Sequence, residues 1–455
     1  MTAEVAVMNS QAVALAADSA MTINYPDGQK IYNSVNKLFM LSKYAPVGIM
    51  VYGVGNLTGV PWETIIKCFR GELGEERLPH LRDYADSLIA YINGHKFMFT
   101  EALQEQQLFG SVVRQFRPIL DDVDGKIREK IAQAGPIGDS QVRAIVAASI
   151  RKAHALWTSA DRLPGSPANH ARRIRQQWRR RIETAIDYSF QNLPVDPTPR
   201  NRLIDIASLV FTASLFPDNV SGVVVAGFGE EDYLPSVVSF DMEGVLLGFV
   251  KVRQNAEKSA IIGSRNPAAI IPFAQGDMVS LFLEGIDPAF RQEVEHALED
   301  FAAGLADALV IGTGATGRRE STLRRQFDQV RATPAKQFFE RLDSYSVQSH
   351  VRPVVSAVAN LPKEELAGMA ESLVSLTSFK RRVTHDPETV GGPIDVAVIS
   401  KGDGFIWINR KHYFDAALNH QFFANYYPAG SSQATTTTTT TTTRSSGGGG
   451  ARARK

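Results

Sequence analysis

The start of the chain places a hydroxyl and, once the initiator Met1 is removed, a free α-amine on one residue, Thr2. The small size of Thr2 permits that removal. A threonine hydroxyl is a poor nucleophile at neutral pH unless a base takes its proton, and an α-amine with a reference pKa of about 8 can be that base. Thr2 is therefore a candidate nucleophile that carries its own base.

Two charged residues downstream supply what such a nucleophile needs. A lysine cation near the amine would lower the pKa of the amine, and an aspartate would hold the lysine in place. Asp18 and Lys37 are the candidates: Asp18 follows the apolar segment 13–17, and Lys37 lies between Val35 and Leu38-Phe39. The alternatives are a strand-end aspartate and an exposed strand lysine with no role in chemistry.

Short strands and one helix are predicted to position these residues. Val5, Val7, Val13 and Leu15 alternate with smaller or polar residues around a turn at 9–11, which predicts an antiparallel hairpin that begins at residue 2. A second strand pair is predicted at about 35–41 and 47–52. Apolar residues at 62, 65, 66 and 69 have helical spacing, which predicts a helix packed on the sheet.

Thr2, Asp18 and Lys37, in this order on paired strands, resemble the proteasome β-subunit family of N-terminal nucleophile hydrolases, which includes the bacterial ATP-dependent ring protease. The resemblance covers roughly the first 70 residues and returns at 220–228, 239–244 and 391–399. It implies an α+β fold, a four-layer αββα sandwich, with a peptide bond as substrate. It also implies a homo-oligomeric ring or stack, and it leaves open whether an ATPase is a partner.

The resemblance further implies a group that stabilises the oxyanion formed during acyl transfer. Backbone N–H donors perform this role in such sites. The segment 52–55, Tyr-Gly-Val-Gly, follows an apolar strand, and the resemblance assigns the donor to Gly53. There are two alternatives: the N–H of Tyr52 is the donor, or the glycines form a turn that only ends the strand.

The chain departs from the family's pattern at the residues that support the nucleophile. The family's glycine-flanked serine falls at Gln275, and its second aspartate falls near Asp386. Ala20 and Val390 stand where a basic residue and a serine are usual. We predict a cytoplasmic threonine-type endopeptidase. Because of these departures, a noncatalytic assembly subunit is an alternative. An amidase acting on a small amide is a further alternative.

Changes of pattern along the chain predict a core interrupted by helical insertions. The core is assigned to 2–99, 217–303 and 360–428, and the mostly helical segments 100–216 and 304–359 are assigned to insertions. Residues 429–455 contain nine consecutive threonines and a glycine-rich end. This tail is predicted to be disordered because it has almost no apolar surface to offset the entropy of ordering.

Composition removes several other classes of function. At 455 residues, with 44% hydrophobic and 21% charged residues, the chain can bury a large core. A net charge of +1 gives no electrostatic reason to expect nucleic acid or a membrane as partner. The single Cys68 has no disulfide partner, and the nine histidines lack metal-ligand spacing, so no metal or cofactor is predicted. The absence of a leader pattern or an 18-residue apolar run makes a soluble protein the expectation.

Overall fold

A computed structural model describes residues 3–25, 28–314, 316–384, 390–421 and 424. Thr2, Asp386 and the threonine-rich tail, about which the sequence analysis makes predictions, lie outside these ranges. Contacts divide the chain into two units, Met1–Lys411 and His412–Lys455. The described part of the second unit contains a 3-10 turn, Ala416–Leu418.

The first unit combines strands and helices along its whole length. The strands of the described residues are β1 Glu4–Asn9, β2 Ala12–Ala17, β3 Met21–Tyr25, β4 Gly28–Tyr32, β5 Leu38–Met40, β6 Val47–Gly53, β7 Asn56–Leu57, β8 Val60–Pro61, β9 Ser221–Gly227, β10 Ser236–Leu246, β11 Phe249–Ile261, β12 Ala268–Pro272, β13 Asp395–Ser400 and β14 Gly404–Asn409. The helices are α1 Trp62–Leu73, α2 Leu81–Gly94, α3 Glu101–Ala134, α4 Asp139–Ser159, α5 His170–Gln177, α6 Arg179–Phe190, α7 Pro197–Leu209, α8 Asp277–Glu284, α9 Pro288–Gly312, α10 Arg318–Ser346, α11 Arg352–Val358 and α12 Lys363–Val383. A short π-helix, Val347–Val351, joins α10 to α11.

Two antiparallel sheets of five strands form the centre of this unit. The first sheet has the order β12-β1-β2-β13-β14, and the second has the order β11-β10-β9-β6-β5. The predicted hairpin is the β1–β2 pair, with Val5 opposite Ala16 and Val7 opposite Ala14. The second predicted pair is β5–β6. The short β3–β4 hairpin was not predicted, because residues 21–32 lack a regular apolar alternation.

Three groups of buried side chains hold sheets and helices together. One group contains residues of both sheets: Leu15, Met50, Val224 and Ile399. A second joins α1 and α2 to the other face of the second sheet: Ile65, Leu88, Ile49 and Val223. A third joins α12 to the first sheet: Leu366, Leu373, Val5 and Val7. The prediction of an α+β fold is confirmed. Separately, none of the described helices is both long enough and apolar enough to span a bilayer.

Helices α3–α7 pack around their own buried cluster, which occupies the predicted insertion 100–216. Phe116, Ile150, Ile186 and Phe211 are among its members, and Leu246 of the second sheet joins it. Thr100 caps α3 by accepting a hydrogen bond from the Leu103 N–H. The division of the chain into three core segments and two insertions stays a prediction.

His170, the first residue of α5, is fully buried where the helical cluster meets the second sheet. Its ring packs edge-on against Phe249 of β11, and among the described residues neither ring nitrogen has a hydrogen-bond partner. Burial, reinforced by the cations of Arg173 and Arg162, lowers the pKa of His170 from 6.5 to about 4. The folded protein therefore holds this imidazole neutral.

The free energy of unfolding is expected to depend on pH through His170. A histidine whose pKa is depressed by folding contributes its full stability above the unfolded pKa of 6.5, and that stability is lost as pH falls towards 4. The loss amounts to about 3 kcal/mol over this window. Urea unfolding of the parent and of His170→Phe between pH 4.5 and 7.5 measures it. Parallel curves for the two proteins would contradict the assignment.

Candidate functional site

The carboxylate of Asp18 is the hub of the site. Asp18 follows β2 directly and its side chain is fully buried. Oδ1 accepts hydrogen bonds from the Ala3 N–H at 3.0 Å and from Lys37 Nζ at 2.5 Å. Oδ2 accepts from the N–H groups of Ala20 at 3.2 Å and Gly391 at 3.0 Å. A buried carboxylate with four donors is fully satisfied, and it fixes the groups that donate to it.

Lys37 lies between two carboxylates. Its ammonium is 2.5 Å from Asp18 Oδ1 and 3.8 Å from Glu4 Oε1, and its side chain is only 6% exposed. The Lys37 carbonyl accepts from the Val51 N–H, which fixes the segment before β5 against β6. Glu4 was not among the candidate residues predicted from the sequence. The sequence did contain a signal for Glu4, because this charged residue alternates in phase with Ala6 and Met8, on an apolar face of β1.

A third chain segment, just before β13, closes over Asp18. The Gly391 carbonyl accepts from the Ser19 N–H, and the Ser19 hydroxyl donates to the Pro393 carbonyl at 2.5 Å. Gly392 has φ +77°, and a Cβ there would lie 2.7 Å from the Asn33 carbonyl oxygen. Glycine is therefore required at 392, both for the backbone conformation and for the close approach.

Gly53 ends β6, opposite Ser221 of β9. Its φ is +77°, and a Cβ would lie 2.2 Å from the Val220 carbonyl oxygen, so no other residue fits here without rearrangement. Gly53 is exposed, whereas Tyr52 before it is buried and packs on Phe273. The conformational reason for a glycine is thus clear, and a role for its N–H in chemistry stays a prediction.

The other residues selected from the sequence have different environments. Gln275 is buried between β12 and α8, and its Oε1 accepts from Arg381 Nε of α12 at 3.0 Å. Val390 is buried in the cluster under α12. Ala20 is buried and contributes a backbone N–H to Asp18. Thr2 and Asp386 lie outside the described residues.

A bulge in β11 brings Lys258 to the site. Val237 pairs with Ala260 and Ser239 pairs with Asn255, so residues 256–259 stand opposite Val238 alone. The bulge is held internally, because the Ser259 hydroxyl donates to the Asn255 carbonyl at 2.7 Å. Bulges of this kind redirect side chains, and here the redirected side chain is Lys258.

The Lys258 ammonium lies between the two sheets. It donates to the Phe273 carbonyl at 2.5 Å, lies 3.5 Å from the Tyr52 hydroxyl and stands 4.6 Å from the centre of the Tyr52 ring. Burial lowers the pKa of Lys258, while the charges of Asp241 and Glu4 oppose that shift. Burial also raises the pKa of Tyr52 to about 12. Sequence spacing could not have placed Lys258 in this site. It also could not have shown that a cation lies beside Tyr52.

Within the described residues, no group of three or more His, Cys, Asp or Glu side chains is arranged to hold a metal ion. The site is instead a buried Asp–Lys pair with a further carboxylate, at the first residues of a strand. Together with the two sheets, this defines a mixed α+β protein in which Asp18 and Lys37 contact residues 3 and 4, at the start of β1.

No family model and no curated protein matches the chain. Among solved structures it is similar to an Anbu (Gly-1) mutant from Hyphomicrobium sp. strain MC1, with 10% identity, 94% of each chain covered and a TM-score of 0.26. It is also similar to the Anbu complex from Pseudomonas aeruginosa, described as a helical assembly, with 10% identity, 93% of each chain covered and a TM-score of 0.25.

The assignment to the proteasome β-subunit and ring protease family is therefore wrong. No family model matches, and the similar structures are those of Anbu. The assignment depended on three side chains and on short alternating strands. Such alternation follows from packing on the faces of a sheet, which many unrelated proteins share. The ring or stack and the open question of an ATPase partner, which came from the resemblance alone, stay untested.

Proposed function

We propose that the chain is a threonine-type amide hydrolase, acting on peptide bonds, whose nucleophile is the hydroxyl of Thr2 after removal of Met1. The observation that carries the proposal is the pair of donors on one oxygen. Asp18 Oδ1 accepts both from Lys37 Nζ and from the N–H of Ala3, which belongs to the Thr2–Ala3 peptide group. The lysine cation is thereby tied to the residue that follows Thr2.

The alternation of β1 supports the same assignment. Ala3, Val5 and Val7 belong to the cluster under α12, whereas Ala6 and Met8 belong to the cluster between the sheets. Successive side chains of a strand point to opposite faces. Position 2 is in phase with Glu4, whose carboxylate faces Lys37, so the proposal assigns the Thr2 hydroxyl to the face that holds Lys37.

The proposed reaction follows from these positions. The Thr2 amine takes the proton of the Thr2 hydroxyl, and the oxygen attacks the carbonyl carbon of the substrate amide. The Gly53 N–H stabilises the resulting oxyanion, and the amine returns the proton to the leaving nitrogen. Water then hydrolyses the acyl-enzyme and frees Thr2. Lys37 keeps the amine in its basic form at neutral pH by disfavouring a second cation nearby.

The order in which sheets and helices are layered also supports the proposal. The three buried clusters described above support an αββα order, with α12 outside the first sheet and α1 and α2 outside the second. Self-association belongs to the same proposal. Helix α9 exposes apolar side chains that a monomer leaves in water: Phe301, Leu305 and Ile311.

Intact-mass measurement and covalent labelling test the function. We expect protein from its native cell to lack Met1 and to gain one equivalent of a peptidyl epoxyketone, whose two electrophilic carbons capture a hydroxyl and an amine of the same residue. Peptide mapping should find the adduct on Thr2, and Thr2→Ala should not be labelled. Retention of Met1 would contradict the proposal and favour a noncatalytic assembly subunit. Labelling that persists in Thr2→Ala would also contradict it, because the nucleophile would then be another residue.

A further inference from the structure

The proposed reaction leaves one buried charge of the site without a role, the carboxylate of Glu4. Glu4 is the first residue of β1, and its side chain is fully buried beside that of Lys37. Burying a carboxylate is costly unless nearby cations compensate it, so its presence here needs a reason. Among the described cations, Lys37 lies 3.8 Å from Glu4, and the charge of Glu4 also acts on Lys258 of the β11 bulge.

We propose that Glu4 is a positioning residue that sets the pH at which the Thr2 amine becomes a base, with Lys258 as the counter-charge that limits its effect. This inference rests on the proposed function, because it needs a free amine on Thr2. Glu4 acts through Lys37. Lys37 carries one positive charge between two carboxylates, so Glu4 reduces the positive potential that Lys37 exerts on the amine.

Lys258 is linked to Glu4 through the backbone as well as by charge. Its ammonium donates to the Phe273 carbonyl, and the Phe273 N–H donates to the Glu4 carbonyl at 3.0 Å. The bulge, the residue after β12 and the start of β1 therefore form one connected path. A cation fixed in this way attracts the Glu4 carboxylate and offsets its charge.

The signs follow from the charges around Glu4, Tyr52 and Lys258, which come from several neighbouring elements. Asp18 follows β2, Lys37 precedes β5, Tyr52 is on β6, Asp241 is on β10, and β11 carries Arg253, Glu257 and Lys258. A carboxylate favours the ammonium form of a nearby amine, and a cation disfavours it. Removal of the Glu4 charge should therefore lower the pKa of the Thr2 amine, and removal of the Lys258 charge should raise it.

The test compares Glu4→Gln, Lys258→Met, the double variant and the parent, each as the full chain with Met1 removed. The acidic limb of kcat/KM against pH, on a fluorogenic peptide amide, reports the amine. We expect it to move down by about one pH unit in Glu4→Gln, to move up in Lys258→Met, and to return towards the parent in the double variant. Lys67→Met, on the exposed face of α1, is the matched control and should leave the limb in place.

A second measurement does not depend on turnover. The rate at which cyanate carbamylates the Thr2 amine, followed by mass spectrometry of the N-terminal peptide at several pH values, gives the pKa of the amine directly. Shifts of opposite sign in the two single variants support the proposal. An unchanged amine pKa in Glu4→Gln, or shifts of the same sign in the two single variants, would overturn the role of Glu4. Labelling of Thr2 by the epoxyketone would still support the proposed function in that case. Retained Met1 overturns both.

Discussion

Lys37→Met is expected to lower kcat/KM for amide hydrolysis by about 10³-fold or more at neutral pH, within the range that acid–base groups contribute. The methionine keeps the length and apolar stem of lysine but removes the cation. Without that cation the Thr2 amine is protonated at neutral pH and no longer accepts the hydroxyl proton. Activity measured from pH 6 to pH 10 should show partial recovery at alkaline pH.

The fold of Lys37→Met should survive with reduced stability, because Asp18 keeps three N–H donors, from Ala3, Ala20 and Gly391, while Asp18 and Glu4 lose their shared cation. Circular dichroism and a thermal melt check this. Lys67→Met removes an exposed lysine from α1 and should retain parental activity, since the Lys67–Glu63 pair is open to solvent. Native-like spectra with unchanged kcat/KM in Lys37→Met would reject a catalytic role for Lys37.

Local patterns predicted the elements that surround the site. The alternation at Val5, Val7, Val13 and Leu15 corresponds to the β1–β2 hairpin, because one face of a half-buried strand must be apolar. The helical spacing of the apolar residues 62, 65, 66 and 69 corresponds to α1, Trp62–Leu73. Asp18 and Lys37 were both selected from the sequence, and they form a direct ion pair.

Features that depend on distant segments were missed. Lys258 enters the site only because four residues of β11 bulge opposite Val238, and no short-range pattern specifies that register shift. Gly391 reaches Asp18 across 373 positions of sequence. The family assignment failed for a related reason, since strand alternation and three polar residues describe a local arrangement rather than an ancestry.

A second buried ion pair, remote from Thr2 in the sequence, is expected to have the largest effect on stability. Lys251 and Glu243 are paired across β10 and β11 at 2.7 Å, with side chains 0% and 1% exposed. Lys251 Nζ also donates to the carbonyl of Val210 at 2.7 Å and to that of Leu215. Val210 is the C-cap of α7, so the lysine attaches the end of this helix to the second sheet.

Burial lowers the pKa of Lys251, and the charge of Glu243 opposes that shift, which is the balance expected for a cation kept charged by its partner. Lys251→Met is therefore expected to lower the free energy of unfolding by about 3–5 kcal/mol, because the Glu243 carboxylate is left buried without its cation. The double variant Lys251→Met/Glu243→Gln should recover most of this loss. It should not recover all of it, since the carbonyls of Val210 and Leu215 still lose their donor.

Urea unfolding of the two single variants and the double variant measures the coupling between Lys251 and Glu243. Hydrogen exchange should locate the first loss of protection in α7, the helix whose C-terminus Lys251 holds. Lys67→Met again serves as the control, and its exposed pair should contribute less than about 1 kcal/mol. The assignment fails if Lys251→Met stays within about 1 kcal/mol of the parent, or if the two single losses simply add in the double variant. Additivity would mean that the pair does not act as a unit, and that helix α7 is held to the sheet by its apolar contacts alone.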